Sequence, residues 1–307
     1  MLLLVALWFL VRPSAHEFPP MTARRALGAA RLGNQLYAIG GWNGVAPQLD
    51  LVEIYDMTTQ RWRHGSPLTV ARSQHGVVEA GEALWAVGGW QADGGLVSAV
   101  EHFVPADQAW QIVTHLPTPR REPGIALWRQ QIVVAGGFNG QSDADIDGYS
   151  NRVDTYDWRK DQWQRLANLT VPRRGVALVA VADRLFAIGG YSAETGFTNV
   201  VEMYDPTEDR WIAQRWSLTP RTWAAATAFA AGNDEIIVIA GGYNLEGVLD
   251  LVERVDITTG HVCHPPPLPM GRAWFAVVPT TSGLLAVGGE TATGFTGTVE
   301  VIATKCE

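Results

Sequence analysis

Cysteine, basic charge, histidines in ligand spacing and long apolar runs are all scarce in this chain, and each scarcity closes off a class of function. Two cysteines in 307 residues, Cys263 and Cys306, exclude a disulfide framework and leave too few ligands for a cysteine-based zinc site. The histidines at 16, 64, 75, 102, 115, 261 and 264 show no metal-ligand spacing. No G-x-S-x-G, phosphate loop or dinucleotide fingerprint occurs, so the usual marks of acyl, phosphoryl and hydride transfer are missing. A formal net charge of −8 gives no basic footprint for DNA or RNA, whose phosphates demand a cationic face. The first ten-residue apolar run, Leu2 to Val11, is too short to span a bilayer, and no later stretch is long and apolar enough for a membrane-spanning helix.

That run sets residues 1–14 apart as an apolar extension or a signal peptide. It has the length of a signal-peptide core but lacks a basic start, and cleavage after Ala15 would put Pro13 where a small residue is wanted. A cleaved signal implies a secreted or periplasmic protein, and an uncleaved extension a cytoplasmic one.

What the chain has in abundance is glycine and proline, 32 and 17 residues, with 47% hydrophobic content. This combination implies many turns around a large core, as in an all-β protein of short strands. A Gly-Gly pair follows an apolar run six times, ending at Gly41, Gly89, Gly137, Gly190, Gly242 and Gly289, in steps of 48, 48, 53, 52 and 47 residues. An acidic residue opens a short strand at Glu53, Glu101, Asp154, Glu202, Glu253 and Glu300, often continuing as Tyr-Asp. Nine residues after the first five of these stand Trp62, Trp110, Trp163, Trp211 and Val262. Ten residues further come Arg72, Arg120, Arg173, Arg221 and Arg272, with Arg25 as a sixth when PMTARR is aligned with PLTVAR. Six copies of three markers in one order define a repeat of four strands: Arg opens strand a, Gly-Gly ends strand b, the acid opens strand c and Trp lies on strand d.

The order R, GG, E-x-Y-D, W over residues 15–307 resembles the kelch repeat. The resemblance implies a six-bladed β-propeller with four antiparallel strands per blade. The sixth repeat reaches strand c at Thr298 to Ile302 without a following strand d, so residues 15–18 are expected to supply it and close the last blade from the N-terminus. Adaptor proteins of this family carry a further N-terminal region. With 14 residues ahead of the first blade, the expectation is that this chain is not a complete adaptor.

In such a blade the d-to-a and b-to-c connections share one face. That face would carry Trp42, Trp90, Phe138, Tyr191 and Tyr243 directly after Gly-Gly, with Asn43, Asn139 and Asn244 next to them. Two residues beyond the repeated arginines come Leu27, Gln74, Glu122, Gly175, Trp223 and Trp274, which differ from blade to blade. A repeated frame with varied loop residues describes an asymmetric binding surface. Kelch proteins that capture peptides place arginines and aromatics at similar positions, so the resemblance implies a protein or peptide ligand held by these residues together with Arg72, Arg120, Arg173, Arg221 and Arg272. The competing reading pairs those arginines with the strand-c acids as part of the frame.

Two further expectations follow. The b-to-c connection of blade three runs 17 residues, from Gly137 to Asp154, and contains Asp143, Asp145 and Asp147 before Gly148. Alternating carboxylates before a glycine have the pattern of a calcium loop, without the terminal glutamate and flanking helices. No other cofactor is expected. Kelch-type sugar epimerases supply the enzymatic alternative, with Glu122, Arg120, Arg121 and Gln74 meeting at the channel mouth. The cysteine-tyrosine chemistry of kelch-type copper oxidases is excluded by the outer placement of Cys263 and Cys306.

Overall fold

The computed structural model describes residues 18–306 apart from 46, 141, 143, 232, 233 and 282. Nearly every element in it is a strand, and each of the first five repeats forms one antiparallel sheet in the order a-b-c-d. Blade one comprises Gly28–Leu32, Gln35–Ile39, Val52–Asp56 and Arg61–His64. Blade two comprises Gly76–Ala80, Ala83–Val87, Ala99–Val104 and Ala109–His115. Blade three comprises Gly124–Trp128, Gln131–Ala135, Val153–Asp157 and Gln162–Leu166. Blade four comprises Ala177–Val181, Arg184–Ile188, Val201–Asp205 and Arg210–Gln214. Blade five comprises Ala225–Ala231, Asp234–Ala240, Val252–Asp256 and the short Val262–Cys263. Blade six has Ala276–Thr280, Gly283–Val287 and Val299–Ile302, three strands among the described residues.

Local chemistry explains the strand ends. The a-to-b turns of blades two, three and four are two-residue loops, Gly81-Glu82, Arg129-Gln130 and Ala182-Asp183, with both residues at positive φ, the geometry whose twist matches the strands it joins. The Asp of the Tyr-Asp pair ends strand c and caps the next turn: Asp56 accepts from the Thr58 and Thr59 amides, and Asp256 from those of Thr258 and Thr259. The preceding aromatic faces the strand-d tryptophan in register, as Tyr55–Trp62, Phe103–Trp110, Tyr156–Trp163 and Tyr204–Trp211.

The core is not one mass. It is six apolar clusters, one in each gap between neighbouring blades, including the gap between blades six and one. Strand b contributes to both gaps beside its blade, which is why it reads as apolar on both faces: Leu36 and Ala38 pack toward blade six, Tyr37 and Ile39 toward blade two.

Gly-Gly marks the closest approach of blades. In blade two a Cβ on Gly88 would lie 2.7 Å from the Arg120 carbonyl of blade three, and one on Gly89 would lie 2.7 Å from the Ser73 carbonyl of its own blade. Both residues have positive φ as well. The second glycine's amide donates to the carbonyl of the next blade's arginine, as in Gly41 to Arg72, Gly89 to Arg120, and around the circle to Gly289 and Arg24.

Two features secure the last blade, one at its seam with blade one and one against blade five. Residues 15–17, expected to pair with Thr298 to Ile302, lie outside the described residues. Phe18 packs its ring on Tyr55, and the Trp62 indole donates to the Pro19 carbonyl, as Trp211 donates to Ala167 just beyond strand d of blade three. Met21 and Arg24 donate backbone hydrogen bonds to Gly297 and Thr296 of blade six. The second feature corrects the sequence reading of the cysteines: Cys263 on strand d of blade five and Cys306 beyond strand c of blade six form a disulfide, Cα–Cα 6.2 Å, across 43 residues. Closing a loop of that length limits the unfolded chain by about 4 kcal/mol on a chain-entropy argument. Reduction, or Cys306→Ser, is therefore expected to lower stability by up to about that amount; a urea titration with and without reductant reads it, and equal midpoints would show the bridge to be energetically idle.

Candidate binding face

The repeated arginines point inward. Arg72, Arg120, Arg173 and Arg272 are 0% exposed and Arg221 is 3% exposed. They pair with the strand-c acids of their own blades: Arg72 with Glu101, Arg120 with Asp154, Arg173 with Glu202, Arg221 with Glu253 and Arg272 with Glu300. The sixth member is Arg24, fully buried against Glu53, and not Arg25. The alignment slipped because Thr22 precedes Arg24 by two residues whereas Thr69 precedes Arg72 by three, although each threonine bonds the strand-c carboxylate of its own blade, Glu53 and Glu101 respectively. These arginines also donate to backbone carbonyls at the ends of strand b and start of strand c, such as Arg72 to Gly88 and Ala99. Burial is the largest influence on each and lowers its pKa, to about 10 for Arg173, while the paired carboxylate opposes the shift. The expected ligand role of Arg72, Arg120, Arg173, Arg221 and Arg272 is thus replaced by a frame role.

The residue after each buried arginine turns the other way. Arg25, Ser73, Arg121, Arg174, Thr222 and Ala273 form bridges with the residues that follow Gly-Gly, respectively Trp42, Trp90, Phe138, Tyr191, Tyr243 and Glu290. These bridges bring the d-to-a and b-to-c connections onto one face. The next residue, Ala26, Gln74, Glu122, Gly175, Trp223 or Trp274, has a φ between 49° and 60°. This left-handed turn aims its amide and carbonyl sideways, so that each amide donates to the equivalent carbonyl of the preceding blade: Gln74 to Ala26, Glu122 to Gln74, Gly175 to Glu122, Trp223 to Gly175, Trp274 to Trp223 and Ala26 to Trp274. A closed ring of backbone hydrogen bonds surrounds the axis. Ala26 holds the place that the sequence assigned to Leu27, the same one-residue slip as for Arg25.

Three arginines of this face are sandwiched by rings. The Arg25 guanidinium lies 4.8 Å from the Trp42 ring, 4.6 Å from Trp274 and 5.4 Å from Phe295, and is paired with Glu290. Arg121 lies 4.4 Å from Trp90 and 5.0 Å from Phe138. Arg174 lies 5.1 Å from Phe138, 5.5 Å from Tyr149 and 5.9 Å from Tyr191, with Glu122 at 3.8 Å. Each is the second member of an Arg-Arg doublet, Arg24-Arg25, Arg120-Arg121 and Arg173-Arg174, and that doublet was the sequence signal for them. Tyr149 and Phe295, on b-to-c loops, carry no such signal.

The remaining expected residues divide by exposure. Trp42, Trp90, Tyr191, Tyr243, Trp223, Trp274, Gln74, Asn43 and Asn244 are half-buried and Asn139 is exposed, whereas Phe138 and Glu122 are buried. Phe138 therefore leaves the contact surface and serves as the platform between Arg121 and Arg174. Trp223 and Trp274 stack at 3.6 Å, and the Trp223 indole reaches over blade four to donate to Glu122 at 2.7 Å. Gly175 makes that reach feasible, since a Cβ there would meet Trp223 Cδ1 at 2.8 Å. In the blade-three loop, the Asp145 carboxylate accepts from the Ser142 amide and hydroxyl, Asp147 is exposed on the turn Ile146–Gly148, and Asp143 lies outside the described residues. No group of three His, Cys, Asp or Glu converges as a metal site among the described residues.

Beneath the ring, His75 occupies a place that is apolar in the other blades, taken there by Leu27, Pro123, Val176, Ala224 and Phe275. Burial, then the nearby Arg72 charge, lowers its pKa from 6.5 to about 3. Above pH 6.5 the imidazole is neutral whether folded or not. Below it the unfolded chain takes up a proton that the folded chain refuses until about pH 3, so stability falls through that window.

Residues 74–289 match the family model described as the KLHDC2/KLHL20/DRC7 Kelch-repeats domain, and residues 23–69 match the Kelch motif. The chain is similar to kelch repeat and BTB domain-containing protein 1 of camelpox virus, 34% identical over 93 residues, 30% of this chain and 16% of that protein. It is similar to Kelch-like protein 4 of Homo sapiens, 40% identical over 62 residues, 20% of this chain and 8% of that protein. A third relative is alpha-scruin of Limulus polyphemus, 28% identical over 148 residues, 45% of this chain and 16% of that protein. The matched segments thus span 8–16% of these relatives' own lengths.

Two outcomes test the frame. Glu101→Ala strands the buried Arg72 charge and the Thr69 donors and should cost about 3–5 kcal/mol in urea unfolding; a loss under about 1 kcal/mol would contradict the buried-pair account. His75→Leu should flatten the decline of stability between pH 6.5 and 3 relative to wild type, as read by thermal melts across that range.

Proposed function

The chain belongs to the kelch-repeat family, and from that premise we propose that it is a binding module that captures a protein or peptide on the face formed by the d-to-a and b-to-c connections. The observation that carries this reading is the set of exposed apolar loop tips around the axis. Val45 is 93% exposed, Ile146 72% and Leu245 94%, and they stand on the b-to-c loops of blades one, three and five, alternate blades of the circle. Water-exposed aliphatic side chains at loop tips carry no folding benefit, and a partner that covers them recovers about 25 cal/mol for each Å² of apolar surface.

Inside that rim, the half-buried tryptophans and tyrosines with their sandwiched arginines have the composition of interface centres, where Trp, Tyr and Arg dominate binding energy. The stacking holds the rings in place before a partner arrives, so little side-chain entropy is lost on binding. Nothing comparable favours the sugar-epimerase alternative: Arg120 is turned inward on Asp154, and Glu122 Oε2 accepts from Trp223, so Glu122, Arg120, Arg121 and Gln74 do not converge on one open site.

Capture by affinity purification and mass spectrometry tests the reading. Val45→Asp combined with Leu245→Asp lies on exposed tips and should leave the melting temperature unchanged while removing the captured partners. Retention of the same partners by that folded variant, with their loss on substitution at the opposite end of the propeller, would place the interface elsewhere.

A further inference from the structure

The b-to-c connections, whose tips form the outer rim of the face, are set apart by the sign of their charge. Between Gly-Gly and the strand-c acid, the six of them hold nine acidic residues and one basic residue, Arg152. Arg152 is paired with Asp154, and among the nine acids Glu290 is paired with Arg25. Six others, Asp50, Asp93, Asp147, Glu194, Glu246 and Asp250, are exposed and have no ion-pair partner among the described residues. The d-to-a connections add one exposed arginine, Arg215, because their other arginines turn inward or lie between rings. The rim thus carries an unbalanced negative charge. The turns at the opposite end mix both signs, as in the Arg129–Asp183 pair.

On blades two to five the rim follows one design. Each tip sets an exposed apolar residue directly before an exposed acid: Ala92-Asp93, Ile146-Asp147, Ala193-Glu194 and Leu245-Glu246. Blades one and six have no acid in that place, so the pattern is an arc over four consecutive blades. A side chain that complements such a tip is apolar along its length and cationic at its end. Lysine and arginine have that build, with a methylene stem to lie on the apolar tip and a charged head for the carboxylate. An acidic segment, a nucleic acid or an anionic membrane surface is repelled by the rim. So is a second copy of this chain, which brings the same formal charge of −8.

We propose that the arc of blades two to five is the docking surface for a cationic segment, a stretch of the partner in which lysine or arginine recurs. Its stems lie on the apolar tips and its charged ends on Asp93, Asp147, Glu194 and Glu246. The proposal rests on the binding-face reading and names the chemistry of what that face takes. Exposed ion pairs are weak one by one and are screened by salt, so recognition comes from the four acids together and fades as ionic strength rises.

The test uses the whole chain and three fluorescein-labelled dodecapeptides, alternating Lys-Ala, Ser-Ala and Glu-Ala, with binding read by fluorescence anisotropy. Expected is saturable binding of the Lys-Ala peptide, with either other peptide weaker by about tenfold or more. Asp93→Asn, Asp147→Asn, Glu194→Gln and Glu246→Gln in combination alter exposed side chains and should weaken the Lys-Ala peptide by about tenfold or more. A control removes four exposed acids at the opposite end, by Glu79→Gln, Glu82→Gln, Asp107→Asn and Glu208→Gln. It changes the net charge equally and should stay within about twofold of wild type. Equal binding of the three peptides, an unchanged affinity in the first variant, or an equal loss in the control would each overturn the proposal, the last by reducing the attraction to net charge alone.

Partner capture separates this proposal from the reading beneath it. Val45→Asn combined with Leu245→Asn removes two apolar tips without altering charge. Captured partners lost by that variant and retained by the four-acid variant would leave the binding face standing and overturn the cationic segment. Partners retained by both variants would overturn the binding face itself, and with it the premise of the proposal.

Discussion

Inter-blade backbone hydrogen bonding at one end of the axis is the constraint on which the rest of this structure depends. Two concentric rings run through all six blades. In one, the second glycine of Gly-Gly donates to the next blade's arginine carbonyl; in the other, the left-handed residues donate to one another. The first ring requires backbones closer than a Cβ allows at the glycines, and both require a positive φ at the same place in every repeat. The buried arginine serves this geometry. Its guanidinium ties strands b and c to the d-to-a segment, and so holds the carbonyl that the neighbouring glycine needs. Apolar packing between blades supplies the bulk of the driving force, but it has no direction of its own. The rings and the buried ion pairs give the blades their spacing and tilt.

The repeat made most of this fold readable in the sequence. Gly-Gly, the strand-c acid and the strand-d tryptophan each answer a local need that recurs at a fixed distance, so their meaning is the same in every blade. The pairing of arginine with the strand-c acid was readable for the same reason, as regular repetition suits a frame better than a ligand site. What could not be read was set by contacts between repeats. Arg24 and Arg25 are adjacent, and only the threonine bond to Glu53 shows which one turns inward. The Trp223 reach to Glu122 crosses a whole blade and depends on the absence of a side chain at Gly175. The Cys263–Cys306 bridge joins blade five to the segment after strand c of blade six, a meeting set by how those two blades pack on each other.

Burial also separates the aromatic residues that follow Gly-Gly into different duties. Phe138 is enclosed because the long blade-three loop returns over it, with Tyr149 bridging to its backbone and stacking edge-on at 5.1 Å. The other loops are shorter; those of blades four, five and six stand as small hairpins, with Tyr191, Tyr243 and Glu290 at their bases. The extra residues of blade three thus shield one ring and lift Ile146 to the rim.

The residue after each buried arginine is attached to the frame through its backbone bridge, and at Ser73, Arg121, Thr222 and Ala273 its side chain is itself enclosed, with the Thr222 hydroxyl on the Gly175 carbonyl of the left-handed ring. In this chain the six such places hold Arg, Ser, Arg, Arg, Thr and Ala in order around the circle. The scaffold therefore leaves only two of these places, Arg25 and Arg174, with side chains partly open to solvent. Any rewriting of the face at these positions is confined to the two that open outward, while the four enclosed ones are bound by the packing that keeps the fold where it is.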